Sequence, residues 1–204
     1  MPTLIYVHDP MCSWCYAFAP TWRGIETALP GSISVERVLG GLAPDSDRPM
    51  PPDMQAHIQS TWRRIQTVVP DTEFNFEFWA RNVPRRSTYP ACRAVLAAKS
   101  LGPQHERPMI EKIQTAYYRE ARNPSDIGTL CALAQELGLD AQAFREYMLS
   151  EACQLMLEGD LRRAWELGVT GMPSLVLESN GRHARVPHDY AEPLVTLRAL
   201  GVRQ

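Results

Sequence analysis

Leu4-Ile5-Tyr6-Val7-His8-Asp9-Pro10-Met11-Cys12-Ser13-Trp14-Cys15 is the stretch on which the reading of this chain turns. Leu4 to Val7 form a short, almost continuous apolar run of strand-forming residues, the pattern of a strand buried on both faces. The chain passes from that strand straight into the only C-x-x-C of the sequence. Beyond it, Tyr16, Phe18, Ala19, Trp22, Ile25 and Leu29 recur near helical spacing, with Pro20 inside the run and Pro30-Gly31 ending it. This predicts one helix from Cys12 to Leu29, kinked at Pro20.

A cysteine pair at a strand-to-helix junction has a definite chemistry. The first sulfur lies beside backbone N–H groups that have no helical partner, at the positive end of the helix dipole, and both features favour thiolate. Cys15, three residues on, falls on the same side of the first turn and is placed to close a small disulfide ring with Cys12. Cys12 is therefore expected to attack and Cys15 to resolve the mixed disulfide, or the reverse when the protein acts as oxidant. Zinc is the rival occupant of paired cysteines. A closed site needs four ligands, and no second C-x-x-C or spaced histidine pair follows, so no metal is expected.

Working outward, Ile33, Val35 and Val38-Leu39 suggest a second strand ending at Gly40-Gly41, followed by a proline-rich loop. Residues 53–167 read as helices in several pieces, with starts near Thr88, Ser125, Asp140 and Ser150 and a stop at Gly168. Ser174 to Glu178 is a strand, Asn180-Gly181 a hairpin turn, and His183 to Val186 the returning strand. Asp189 to Leu200 closes as a helix. The expected fold is α/β: a right-handed crossover joins two parallel strands, a hairpin adds antiparallel ones, and helices cover both faces.

Composition narrows the function. The 204 residues are 45% hydrophobic and 22% charged, with a net charge of −2, which calls for neither nucleic acid nor an anionic membrane as partner. No run approaches the ~20 apolar residues of a membrane span, and the chain opens without a signal-peptide pattern, so a cytoplasmic location is expected. Five cysteines, an odd and unevenly placed set, do not make a disulfide scaffold. Cys92, Cys131 and Cys153 lie singly in helical patterns and are expected to fill core positions. Trp22, Trp62, Trp79 and Trp165 are likewise expected in the core, with Trp14 exposed beside the sulfurs.

Ahead of the hairpin stands Val169-Thr170-Gly171-Met172-Pro173-Ser174. A proline at a strand start beside a glycine marks either an ordinary trans initiation or a special turn with a cis peptide.

Taken together, Asp9-Pro10-Met11-Cys12-Ser13-Trp14-Cys15 after a strand, a long helical segment, and Gly171-Met172-Pro173 before a hairpin resemble the DsbA-like branch of the thioredoxin superfamily, closest to its FrnE-like cytoplasmic members. The resemblance implies a thioredoxin fold with a helical domain inserted after the second strand. That would divide the chain into a discontinuous thioredoxin-like domain, residues 1–50 and 165–204, and an all-helical insertion, residues 51–164. It further implies catalytic Cys12 and Cys15 flanking Ser13 and Trp14, a cis Pro173 against Cys12, and a Met172 backbone that pairs with extended substrate. The segment from Asn82 to Cys92 is also similar to one in these relatives, without a catalytic role assigned to it.

Two departures stand out. Trp14 occupies the place where the strongly oxidising periplasmic enzymes carry histidine, which implies a less oxidising pair. Tyr6 stands where thioredoxin carries a buried acid, so the group that takes the Cys15 proton is open between neighbours such as His8 and Asp9; a histidine at a strand end is ordinarily solvated. The function expected is reduction or isomerisation of disulfides in proteins, peptides or small molecules, with no cofactor other than glutathione as co-substrate. The alternative is a glutathione-dependent isomerase or transferase similar to 2-hydroxychromene-2-carboxylate isomerase and the kappa-class transferases. Those use a single Ser or Cys at the first position, and retention of both cysteines counts against them. A noncatalytic peptide-binding module is the third class.

Overall fold

The structure is a computed structural model, and residues 1–202 are described. Four strands, β1 (Thr3–His8), β2 (Ser34–Leu39), β3 (Ser174–Ser179) and β4 (Arg182–Val186), form one sheet in the order β2-β1-β3-β4. β1 runs parallel to β2 and antiparallel to β3, and β3 pairs antiparallel with β4 through the Asn180-Gly181 turn. The continuous apolar run explains the central place of β1. Leu4 and Tyr6 face one core with Phe18, Trp22 and Ile25, while Ile5 and Val7 face another with Val38, Ala164 and Leu167.

Helix α1 (Ser13–Ala28) covers the first face, together with α9 (Pro193–Ala199). Pro20 sits inside α1 and has no N–H to offer the Tyr16 carbonyl. Between β2 and β3 run α2 (Pro52–Val68), α3 (Phe78–Arg81), α4 (Tyr89–Ser100), a 3-10 turn at Pro103–His105, α5 (Glu106–Tyr118), α6 (Ile127–Glu136), α7 (Ala141–Met148) and α8 (Glu151–Glu166). Their apolar faces share a large core that includes Trp62, Phe78, Tyr118, Leu133 and Phe144. α8 also lays Ala164 and Leu167 on the second face of the sheet.

Asp140 and Ser150 cap their helices through side-chain oxygens, and Gly168 takes the positive φ of +67° that ends α8. Elsewhere local signals were overridden. α6 begins after Asp126, because the Ser125 hydroxyl donates instead to Ser87 O at 2.7 Å. The last helix starts at Pro193 rather than Asp189, whose carboxylate accepts from Ala191 N and Glu192 N and turns the chain before the helix. Trp165, expected inside, is 78% exposed on α8, because Ala164 and Leu167 take that helix's inward positions. Cys131 is only half-buried, whereas Cys92 and Cys153 are fully buried. Among the described residues no helix is long and apolar enough to cross a membrane.

Candidate active site

Asp9 follows the C-terminal end of β1, and Cys12 N–H donates back to Asp9 O at 3.0 Å, closing the turn that leads into α1. Cys12 is the N-cap residue, with extended backbone (φ −79°, ψ 116°) and its carbonyl accepting from Tyr16 N. Its side chain does what a serine or aspartate cap usually does: Sγ accepts from Cys15 N–H at 3.3 Å. The thiol proton is directed to Met172 O at 3.5 Å. Cys12 and Cys15 are free thiols, the first 5% exposed and the second fully buried behind it.

Burial, and then the neighbouring Cys12 thiol, push the Cys15 thiol well above its usual range. The buried Tyr6 phenol is turned towards Cys15 and is itself raised, first by burial and then by the two cysteines. Tyr6 is also stacked on His8 with ring centroids 4.8 Å apart. His8 is buried, contrary to the solvated position expected for a strand end, with the Tyr6 ring stacked on it. Burial, with Arg37 and Lys99 nearby, lowers its pKa to about 3, so the ring is neutral at physiological pH.

Met172-Pro173 is a cis peptide, and Pro173 is buried. The Met172 side chain folds over Gly40, where a Cβ would come within 2.3 Å of its sulfur. Gly40 thus lets the proline loop come down beside the Cys12 thiol.

Asp9, left open by the sequence, is wholly buried with no cation beside it among the described residues. Oδ1 accepts from Met11 N at 2.7 Å; Oδ2 accepts from Leu42 N at 2.8 Å, from the Thr88 hydroxyl at 2.7 Å and from Cys92 Sγ at 3.6 Å. Burial raises its pKa and these donors hold it back. Thr88 is the α4 cap residue, yet its hydroxyl serves Asp9 and Ala43 rather than its own helix.

A cleft of about 350 Å³ opens beside Cys12, bordered by Ser13, Trp14 and Met172. Its apolar wall carries Met11, Met50, Met54 and Ile58; its charged lining is basic, Arg85 and Arg86, with His57 beside them and no Asp or Glu among the described residues. Arg85 is engaged by Asp126, whereas Arg86 is exposed and has no carboxylate partner among the described residues. Trp14 is half-buried rather than open, its ring 5.0 Å from Tyr190 with the Arg64 guanidinium 5.8 Å over it. Among the described residues no group of three or more His, Cys, Asp or Glu could hold a metal ion.

The structure therefore gathers Cys12, Ser13, Trp14, Cys15, Met172 and Pro173 at one place. Reading by sequence missed Met50, Met54, His57 and Arg86, which come from the proline-rich loop, α2 and the turn before α4; no spacing relative to Cys12 marks them. The i, i+4 pair Thr88 and Cys92 at a helix start was the one visible signal for the Asp9 partners.

A dithiol at the cap of α1, facing a proline loop on a four-stranded sheet, defines the fold of a DsbA-like thiol-disulfide oxidoreductase. The chain belongs to the DSBA-like thioredoxin domain family, whose model matches residues 3–194. It is similar, at 27% identity and a TM-score of 0.85, to a candidate protein disulfide isomerase of Nitrosomonas europaea, covering 98% of this chain and 96% of that one. The cytosolic disulfide reductase DsbM of Pseudomonas aeruginosa is 26% identical with a TM-score of 0.75, over 91% of this chain and 89% of its own; it has also been solved with GSH. The ClpXP adapter protein SpxH of Halalkalibacterium halodurans is 24% identical over 180 residues, 86% of this chain. The chain spans 58% of the length of that relative.

Proposed function

We propose that this chain is a cytoplasmic disulfide reductase that uses Cys12 and Cys15 as its redox pair and glutathione as the small thiol. The observation that carries the reading is the placement of the sulfurs: Cys12 Sγ sits at the helix cap and accepts from Cys15 N–H at 3.3 Å, with the second thiol directly behind. The first is in reach of a substrate in the cleft and the second is in reach only of the first.

In this mechanism the Cys12 thiolate attacks one sulfur of the substrate disulfide. A mixed disulfide forms and the other substrate half leaves as thiolate. Cys15 then loses its proton, attacks Cys12 Sγ, and expels the second half. The Cys12–Cys15 disulfide so formed returns to the dithiol when two glutathione molecules give up their thiol hydrogens and join as oxidised glutathione. Met172 O, now bonded to the Cys12 thiol, is freed to accept from a peptide N–H of an extended substrate. The basic, methionine-walled cleft favours glutathione, which carries carboxylates at both ends. A relative solved with GSH supports the same choice.

Equilibration of the protein across glutathione redox buffers, with acid quenching and mass spectrometry of the Cys12 to Cys15 peptide, tests the reading. The expected result is an internal disulfide with a midpoint near about −230 to −270 mV, the range of reductases. A midpoint of about −120 to −180 mV would make it an oxidant or isomerase. A glutathione adduct on Cys12 that never passes to an internal disulfide would sink the dithiol mechanism in favour of a transferase.

A further inference from the structure

Besides the Arg64 guanidinium over Trp14, a hydrogen bond joins the helices between β2 and β3 to the residues between the two cysteines. Trp62 of α2 is fully buried, and its indole Nε1–H donates to Ser13 Oγ at 2.9 Å. The indole has little freedom. Phe74 stacks on it at 4.9 Å, and the rings of Trp79, Tyr118 and Tyr117 stand 5.1, 5.6 and 5.7 Å away. In such packing the donor fixes its acceptor rather than following it.

Ser13 is the first helical residue after the Cys12 cap, and its half-buried hydroxyl serves no helix N–H. It belongs to the same turn that the Cys15 N–H to Cys12 Sγ bond closes. Where Ser13 is held bears on whether that N–H stays aimed at the sulfur. A donor aimed at sulfur favours the thiolate and so the reduced pair.

We propose that Trp62 is a positioning residue for the redox pair: by holding the Ser13 hydroxyl it keeps Cys15 N–H aimed at the Cys12 sulfur and stabilises the dithiol over the disulfide. The proposal rests on the dithiol reading above. It makes α2 part of the device that sets the redox equilibrium, in addition to a wall of the cleft.

The test is a double-mutant cycle read by equilibration with glutathione, in which each protein molecule gives two electrons and two protons to oxidised glutathione. Trp62→Phe removes the donor and keeps an aromatic ring; Ser13→Ala removes the acceptor. Each single variant is expected to move the equilibrium constant towards the disulfide by about fivefold, the equivalent of one ordinary hydrogen bond. The double variant is expected to go no further than either single one. Independent, multiplying shifts would overturn the proposal, as would Trp62→Phe at the wild-type value. If Trp62→Phe does not fold, an unshifted Ser13→Ala overturns it alone. Failure of the wild-type protein to form the internal disulfide would instead strike the dithiol reading, so the two failures are distinguishable.

Discussion

The Thr88 hydroxyl donates to Asp9 Oδ2 across 2.7 Å, with both side chains buried. This contact joins the end of β1 to the start of α4, and the same carboxylate holds Met11 N and Leu42 N. Replacing Asp9 by Ala leaves those donors buried without an acceptor. Each such orphan costs about 1–3 kcal/mol, so Asp9→Ala is expected to lose at least about 3 kcal/mol in urea unfolding and Thr88→Val about 1–2 kcal/mol. Equal stability of Asp9→Ala and wild type would show that the network contributes nothing.

Cys15 lies behind Cys12 and has no other route to substrate. Cys15→Ser is expected to stall with glutathione joined to Cys12, seen as a single adduct in intact-mass spectra, while Cys12→Ser takes no adduct on Cys15. An adduct on Cys15 in the second variant would reverse the order of attack.

Arg86 borders the cleft and has no carboxylate partner among the described residues. Arg86→Glu is expected to raise KM for reduced glutathione by roughly tenfold, the scale of one lost charge-assisted contact plus a repulsion. The increase is expected to be smaller for a neutral small thiol. Equal increases for both would remove Arg86 from recognition of charge.

His8 titrates at about 3 in the folded protein against 6.5 for a free histidine, chiefly because it is buried. Between those values the unfolded chain holds a proton on His8 that the folded chain does not, so stability falls as pH drops through the window. The slope from this residue is at most roughly 1.4 kcal/mol per pH unit. His8→Leu lacks it, and its stability is expected to fall less steeply than that of wild type between pH 6 and about 4. Parallel curves would mean that His8 is solvated after all.

Gly40 has no room for a side chain while Met172 lies over it. Gly40→Ala is expected to displace the methionine side chain and lower kcat/KM on a peptide disulfide several-fold, and Met172→Ala added to it is expected to recover part of the loss. No recovery would place the effect elsewhere.

Much of this architecture was legible because its signals are local. The run Leu4 to Val7 could only be a strand covered on both sides, Asn180-Gly181 could hardly be other than a tight turn, and Cys12 announces a helix start by its spacing to Cys15. The burial of His8 and the exposure of Trp165 were not legible, since each depends on which distant element lies on top. Asp9 shows the same limit: its partners Leu42, Thr88 and Cys92 are brought together only by the packing of α4 against the loop after β2. The cleft lining is likewise assembled from separate segments, with Met50, Met54 and His57 in or just before α2 and Arg85 and Arg86 before α4.

Because β1 is an inner strand and Thr3 pairs with Glu178, the order of synthesis matters to this protein. The ribosome releases Cys12 and Cys15 before the helical segment and before β3, the strand that completes the sheet beside them. Until β3 emerges the nascent chain therefore carries the cysteine pair without its Met172 carbonyl or its finished sheet, open to capture by any small thiol oxidant it meets.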